Sequence, residues 1–104
     1  MISALMIVPL LLAQQVLASA ERSQFSRCMR AFIDSKLEER MSPEAFDTAQ
    51  ASACSQQEAA YRSAYIAAAM RAGDNRAAAE EGAGIEIEDL RDNYKELFRN
   101  AQPE

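Results

Sequence analysis

Apolar positions in this chain form one block followed by three helical stripes. Ala4 to Ala13 (ALMIVPLLLA) is an almost unbroken apolar run with Pro9 inside it, closed by Gln14 and Gln15. From Ser23 onward the pattern becomes periodic. Phe25, Cys28, Met29, Phe32 and Leu37 fall near one face and predict an amphipathic helix over Ser23–Arg40. Strong helix formers then fill Pro43 to about Ala72, with Tyr61, Ala64, Tyr65 and Ala68 on one face. Ile87, Leu90, Tyr94, Leu97 and Phe98 predict a further helix over Ile87–Asn100. Ile85-Glu86-Ile87-Glu88 alternates like a strand, but it is short and has no second strand to pair with. The expected fold class is all-α: an antiparallel helical hairpin, linked by a disulfide, plus a third C-terminal helix.

The boundaries have local chemical reasons. Ser42-Pro43-Glu44 reads as a helix start, with Ser42 as N-cap, Pro43 at the first helical position and Glu44 near the positive end of the dipole. Met41 and Phe46 then occupy the two positions of a hydrophobic staple. Gly73 suits the left-handed residue after a helix, and Arg71 the last turn before it. In the third helix, Glu86, Glu88 and Asp89 load the first turn, and Lys95 and Arg99 the last. Glu88–Arg91, Asp92–Lys95 and Glu96–Arg99 are expected i,i+3 pairs. Between the second and third helices, residues 73–86 read as an acidic hinge. Asp74 is expected to cap a short helix over Asn75–Glu81, broken by Gly82-Ala83-Gly84.

The opening block reads as a cleavable signal peptide over residues 1–20. Ala18 and Ala20 form the A-x-A pattern of a cleavage site, and Glu21-Arg22 begins a charged mature sequence. The segment before the block lacks Lys and Arg, which leaves an uncleaved anchor as the competing reading. A spanning helix needs about 20 predominantly apolar residues, and this run is shorter. The expectation is a periplasmic or secreted protein that meets the membrane only through the signal sequence before cleavage. Residues 21–104 are then one small domain.

In an exported chain, Cys28 and Cys54 read as a disulfide. Both stand thirteen residues from Met41. With the turn there, each lies about 20 Å along its helix, at the same level on neighbouring helices. A catalytic dithiol usually has the tighter C-x-x-C spacing, and two thiolates without a histidine do not complete a zinc site. In this register Ser23 lies opposite about Ala59, so residues 60–72 overhang the first helix. The Tyr61, Ala64, Tyr65 and Ala68 face of that overhang is the candidate interaction surface. It is covered either by the protein's own third helix, or by a protein partner, a second copy or a ligand stacked on the tyrosines.

Composition narrows the chemistry. The chain of 104 residues carries a net charge of −5 and no histidine. Basic and acidic residues balance over 21–73, so the whole net charge sits in 74–104. Nucleic acid is therefore not an expected partner, since binding it needs a basic surface. Ser-His and Cys-His nucleophiles are excluded. Lys36 and Lys95 sit on charged helical faces with no nucleophile motif near them. There is no Gly-rich phosphate loop and no dinucleotide fingerprint. The acidic stretch from Asp74 departs from a calcium loop at once, because Arg76 stands at its third position. The expectation is a non-enzyme with no cofactor and no metal.

Arg27-Cys28-Met29-Arg30-Ala31-Phe32, Met41-Ser42-Pro43-Glu44-Ala45-Phe46 and Ala53-Cys54 together resemble short exported helical proteins of proteobacteria that have no assigned role. The resemblance spans about residues 25–72. It implies a helical fold and an exported location, and no site residues. The expected function is an exported interaction or structural protein of the bacterial envelope. A periplasmic, acid-responsive stress chaperone is the alternative, by analogy with small exported helical chaperones.

Overall fold

The computed structural model describes the backbone of residues 2–103 and the side chains of residues 18–103. It is all-helical, in the order α1 (Ile2–Glu38), α2 (Pro43–Gln50), α3 (Ser55–Arg71) and α4 (Arg76–Asn100). The expected signal peptide lies outside the residues described in full, apart from Ala18, Ser19 and Ala20. Among the described residues no helix is long and apolar enough to cross a membrane.

α1 ends where Arg40 takes a left-handed φ of 58°. The Arg40 amide bonds the Leu37 carbonyl, and the Met41 amide bonds that of Lys36. That pair of bonds satisfies carbonyls the helix end would otherwise leave open. α2 begins as its sequence predicts: Ser42 Oγ accepts from the Ala45 amide at 3.2 Å, and Pro43 stands in the first turn. α3 ends at Gly73, φ 113°, with the same pair of closing bonds, from the Gly73 amide to Met70 and from the Asp74 amide to Ala69.

Besides the start of α1, at Ile2 where Ser23 was expected, two boundaries differ from the sequence reading. The long helix expected over Pro43–Ala72 is broken into α2 and α3 at residues 51–54. Cys54 adopts a left-handed φ of 59° there, at the N-cap of α3, and is not mid-helix. No glycine or proline marks the break, so it is imposed by long-range contacts. The second difference is the hinge. Only a short connection separates α3 from α4, and residues 76–86 continue into α4 as helix. Asn75, not Asp74, is the N-cap; its Oδ1 accepts from the Ala78 amide at 2.8 Å. Gly82 and Gly84 lie within the helix. A Cβ built on Gly82 would stand 3.0 Å from Tyr65 Oη and 3.2 Å from its Cε1. The glycine therefore lets α3 approach α4 closely, which is a packing reason for its presence.

The core draws on all four helices: Phe25, Met29 and Ile33 from α1, Phe46 from α2, Tyr61 from α3, and Ile87, Tyr94 and Phe98 from α4. Phe46 and Phe98 stack with ring centroids 4.0 Å apart, and Phe32 flanks Phe46 at 5.6 Å. Phe25 meets Tyr94 edge-on at 6.0 Å. Aromatic pairs at such spacings add to the area they bury. A Cys28–Cys54 disulfide joins α1 to the 51–54 turn, with the two Cα atoms 6.0 Å apart.

Candidate functional site

The tyrosine face of α3 is covered by the protein's own helices. Tyr61 is 3% exposed, packed against Phe25 and, edge-on, against Tyr65. Its hydroxyl donates to Glu86 Oε1 at 3.4 Å, and Arg22 Nε lies 3.8 Å from the same oxygen. Burial, and next the negative charge of Glu86, push the Tyr61 phenol up from 10.0 to about 12. Tyr65 is half-buried against Gly82, and Ala64 and Ala68 are half-buried beside it. Of the candidate surface Tyr61, Ala64, Tyr65 and Ala68, the fold buries Tyr61 and leaves the other three half-buried. Tyr61 is a core residue, set between Phe25 of α1 and Glu86 of α4, while the early part of α4 meets Tyr65 at Gly82.

The most heavily bonded polar side chain is Arg91 of α4, only 8% exposed. Its Nε donates to Glu58 Oε1 on α3 at 2.8 Å. Its Nη2 donates to the Ala53 carbonyl at 2.9 Å, and its Nη1 to the Gln50 carbonyl. The Gln50 side chain, 3% exposed, accepts from Nη1 at 3.4 Å. The guanidinium also lies 5.2 Å from the Phe25 ring centroid, within cation–π range. One cation thus caps the carbonyls released where α2 stops, holds α3 through Glu58, and rests on α1. The expected Glu88–Arg91 pair does not form among the described residues. Asp92–Lys95 at 3.4 Å and Glu96–Arg99 at 3.9 Å do. The sequence held a signal for this role: Arg91 is in register with Ile87, Tyr94 and Phe98 on the buried stripe of α4.

Two surface grooves follow the seam between α1 and α4. One, of about 290 Å³, is polar: Arg22, Ser23, Ser26 and Arg30 face Asn93 across a floor of Leu90 and Tyr94, with Ser19 at its end. The other, of about 260 Å³, is mostly apolar, with Ile33, Leu37, Leu97 and Ala101 between Arg30 and Asp34. A third, smaller in lining, opens at Ala18, Arg22, Tyr61 and Glu86. Among the described residues no group of three His, Cys, Asp or Glu side chains is placed to hold a metal ion. The polar groove offers hydrogen-bond donors and cations, the chemistry of binding an anion.

No family model matches this chain, and no curated protein or solved structure matches it either.

Proposed function

We propose that this is an exported, non-enzymatic binding protein of the bacterial envelope, matured by cleavage after Ala20. The observation that carries the reading is the Cys28–Cys54 disulfide. Such bonds persist in oxidising compartments and are rare where glutathione and thioredoxin act. The apolar run Ala4–Ala13, the small residues at Ala18 and Ala20, and the resemblance over residues 25–72 support the same location. A chain without histidine lacks the commonest general base, which favours binding over catalysis. With Tyr61 buried, contact with a ligand or partner falls to the α1/α4 seam.

Intact mass of the protein isolated from an oxidising compartment, before and after reduction with thiol alkylation, tests the proposal. The expected species begins at Glu21 and takes up two alkyl groups only after reduction. A full-length species with two free thiols overturns it.

A second reading, an acid-responsive chaperone, is favoured by the ties that hold α4. Arg91–Glu58, Arg99–Asp47 and Arg22–Glu86 join α4 to three other helices, and each needs an ionised carboxylate. Conditions that break these ion pairs free α4 to loosen. Near-ultraviolet circular dichroism unchanged from pH 7 to pH 3, with no suppression of client aggregation, overturns this reading.

A further inference from the structure

The polar and apolar grooves follow one another along the seam as a trough, with Arg30 as their one shared lining residue. On α1 their lining steps through Arg22, Ser26, Arg30, Ile33 and Leu37; on α4 it steps through Leu90, Tyr94, Leu97 and Ala101. Every step is three or four residues, so each set is a single stripe along its helix. Arg30 lines both grooves and marks their junction. From Arg22 to Leu37 the trough runs about 22 Å at 1.5 Å per residue, beyond the cleavage position proposed above, which removes only Ser19 at the polar end.

The two ends differ in chemistry. No carboxylate lines the polar end. Arg30 is exposed and joins no ion pair among the described residues, in a chain whose net charge is −5. Asp34, one turn further along α1, is also exposed and makes no ion pair with it. The far end keeps Leu97 39% exposed beside Leu37, an apolar wall open to solvent. A cation left unpaired at the head of an apolar channel is complementary to an anion with a hydrocarbon tail.

We propose that this trough binds one molecule of a free single-chain anionic amphiphile of the fatty-acid class. The headgroup lies against Arg30, with Ser26 and Asn93 as further donors, and the chain runs along Ile33, Leu37 and Leu97. This names the ligand of the binding role proposed above. Its test uses purified oxidised protein, so its failure is separate from failure of the export reading.

The probe is decanoate at submicellar concentration, followed through backbone amide chemical shifts. Saturable one-to-one binding is expected, with shifts confined to Arg22–Leu37 and Leu90–Ala101. Acetate, which lacks the chain, and octyl glucoside, which lacks the charge, bind at least about tenfold more weakly. Arg30→Gln and Leu97→Asn change exposed residues and leave the unfolding midpoint near the parent's. Each weakens decanoate by about tenfold, the equivalent of losing one charged hydrogen bond or one seated apolar side chain. Arg27→Gln removes the same charge from an exposed position outside the trough, and leaves affinity within about twofold. Equal loss in Arg27→Gln and Arg30→Gln overturns the proposal, as does binding to phosphatidylglycerol vesicles without saturable binding of the monomeric probe.

Discussion

Arg91 sits where a core residue belongs, and its charge is tolerated because each of its three guanidinium nitrogens donates to an acceptor. The guanidinium meets one carboxylate, two backbone carbonyls and the Gln50 side chain. Removing it therefore does more than break an ion pair. Arg91→Met takes the side-chain donor from the Ala53 carbonyl, leaves the Gln50 carbonyl with the Ala53 amide alone, at 3.2 Å, and leaves Glu58 with Arg62 alone, 3.8 Å away. Glu58 keeps a quarter of its side-chain surface in water, so it partly rehydrates. The expected cost is at the lower end for a broken buried pair, about 3 kcal/mol, read from the urea midpoint. Glu58→Gln keeps an acceptor for Nε and costs about 1 kcal/mol. A larger loss in Glu58→Gln than in Arg91→Met contradicts the assignment of Arg91 as a carbonyl cap. Tyr61 gives a prediction in pH. Its phenol is raised from 10.0 to about 12 in the fold, so folding favours the neutral form. That contribution is complete below pH 10 and is lost as pH rises from about 10 through about 12. The stability difference between the parent and Tyr61→Phe, followed by denaturation from pH 8 to pH 12, should narrow across that window.

Gly82 decides how closely α3 and α4 approach. Glycine inside a helix ordinarily costs about 1 kcal/mol relative to alanine. At Gly84 an added Cβ meets only Arg62 Nη1, at 4.0 Å, so Gly84→Ala should recover most of that amount as a higher melting temperature. Gly82→Ala should not, because the new methyl presses on Tyr65 Oη and Cε1. Tyr65→Phe removes the nearest atom. In that background Gly82→Ala should become more favourable by at least about 0.5 kcal/mol, a coupling that a double-mutant cycle isolates. The same glycine explains what the sequence could tell at this scale. Ser42, Pro43 and Gly73 act on their own neighbours, so the start of α2 and the end of α3 were legible from residue type. Gly82-Ala83-Gly84 has the composition of a break, and only the presence of Tyr65 across the interface gives it a helical use. The all-α class was legible from periodicity and the Cys28–Cys54 pairing from two cysteines in a chain read as exported, whereas the mid-helix place that spacing gave Cys54 was not right. Which of the readings offered for the Tyr61 face holds was not legible, since it depends on the register that sets Phe25 of α1 and Glu86 of α4 against Tyr61. The trough was not legible either: it needs the register between α1 and α4, which no local signal sets.

Across the whole molecule, the 51–54 turn is the point where the helices are fastened together. The disulfide ties Cys54 to α1, and Arg91 ties Gln50 and Ala53 to α4. The two clamps act in different ways. The disulfide spans 26 residues of sequence and acts chiefly by restricting the unfolded chain, a contribution of about 3 kcal/mol. Replacing both cysteines by serine should lower the melting temperature by roughly 15 °C in a domain this small, with the far-ultraviolet spectrum still helical. Arg91 acts on the native turn itself, by supplying donors to carbonyls that a continuous helix would satisfy internally. Residues 51–54 (ASAC) have no intrinsic reason to break a helix, and the left-handed backbone at Cys54 costs about 1 kcal/mol or more. Local preference and tertiary fastening are therefore opposed at this turn. With Cys28→Ser, Cys54→Ser and Arg91→Met combined, local preference should win, and α2 and α3 should merge into the single helix that Pro43–Ala72 favours. Cα chemical shifts at residues 51–54 read the outcome directly. Helical shifts in the triple variant, and not in either set of substitutions alone, identify the two clamps as the cause of the break. Shifts that stay non-helical in the triple variant assign the break to the packing of Phe46 against Phe98 on one side and Tyr61 against Phe25 on the other, which pull the two halves toward different partners.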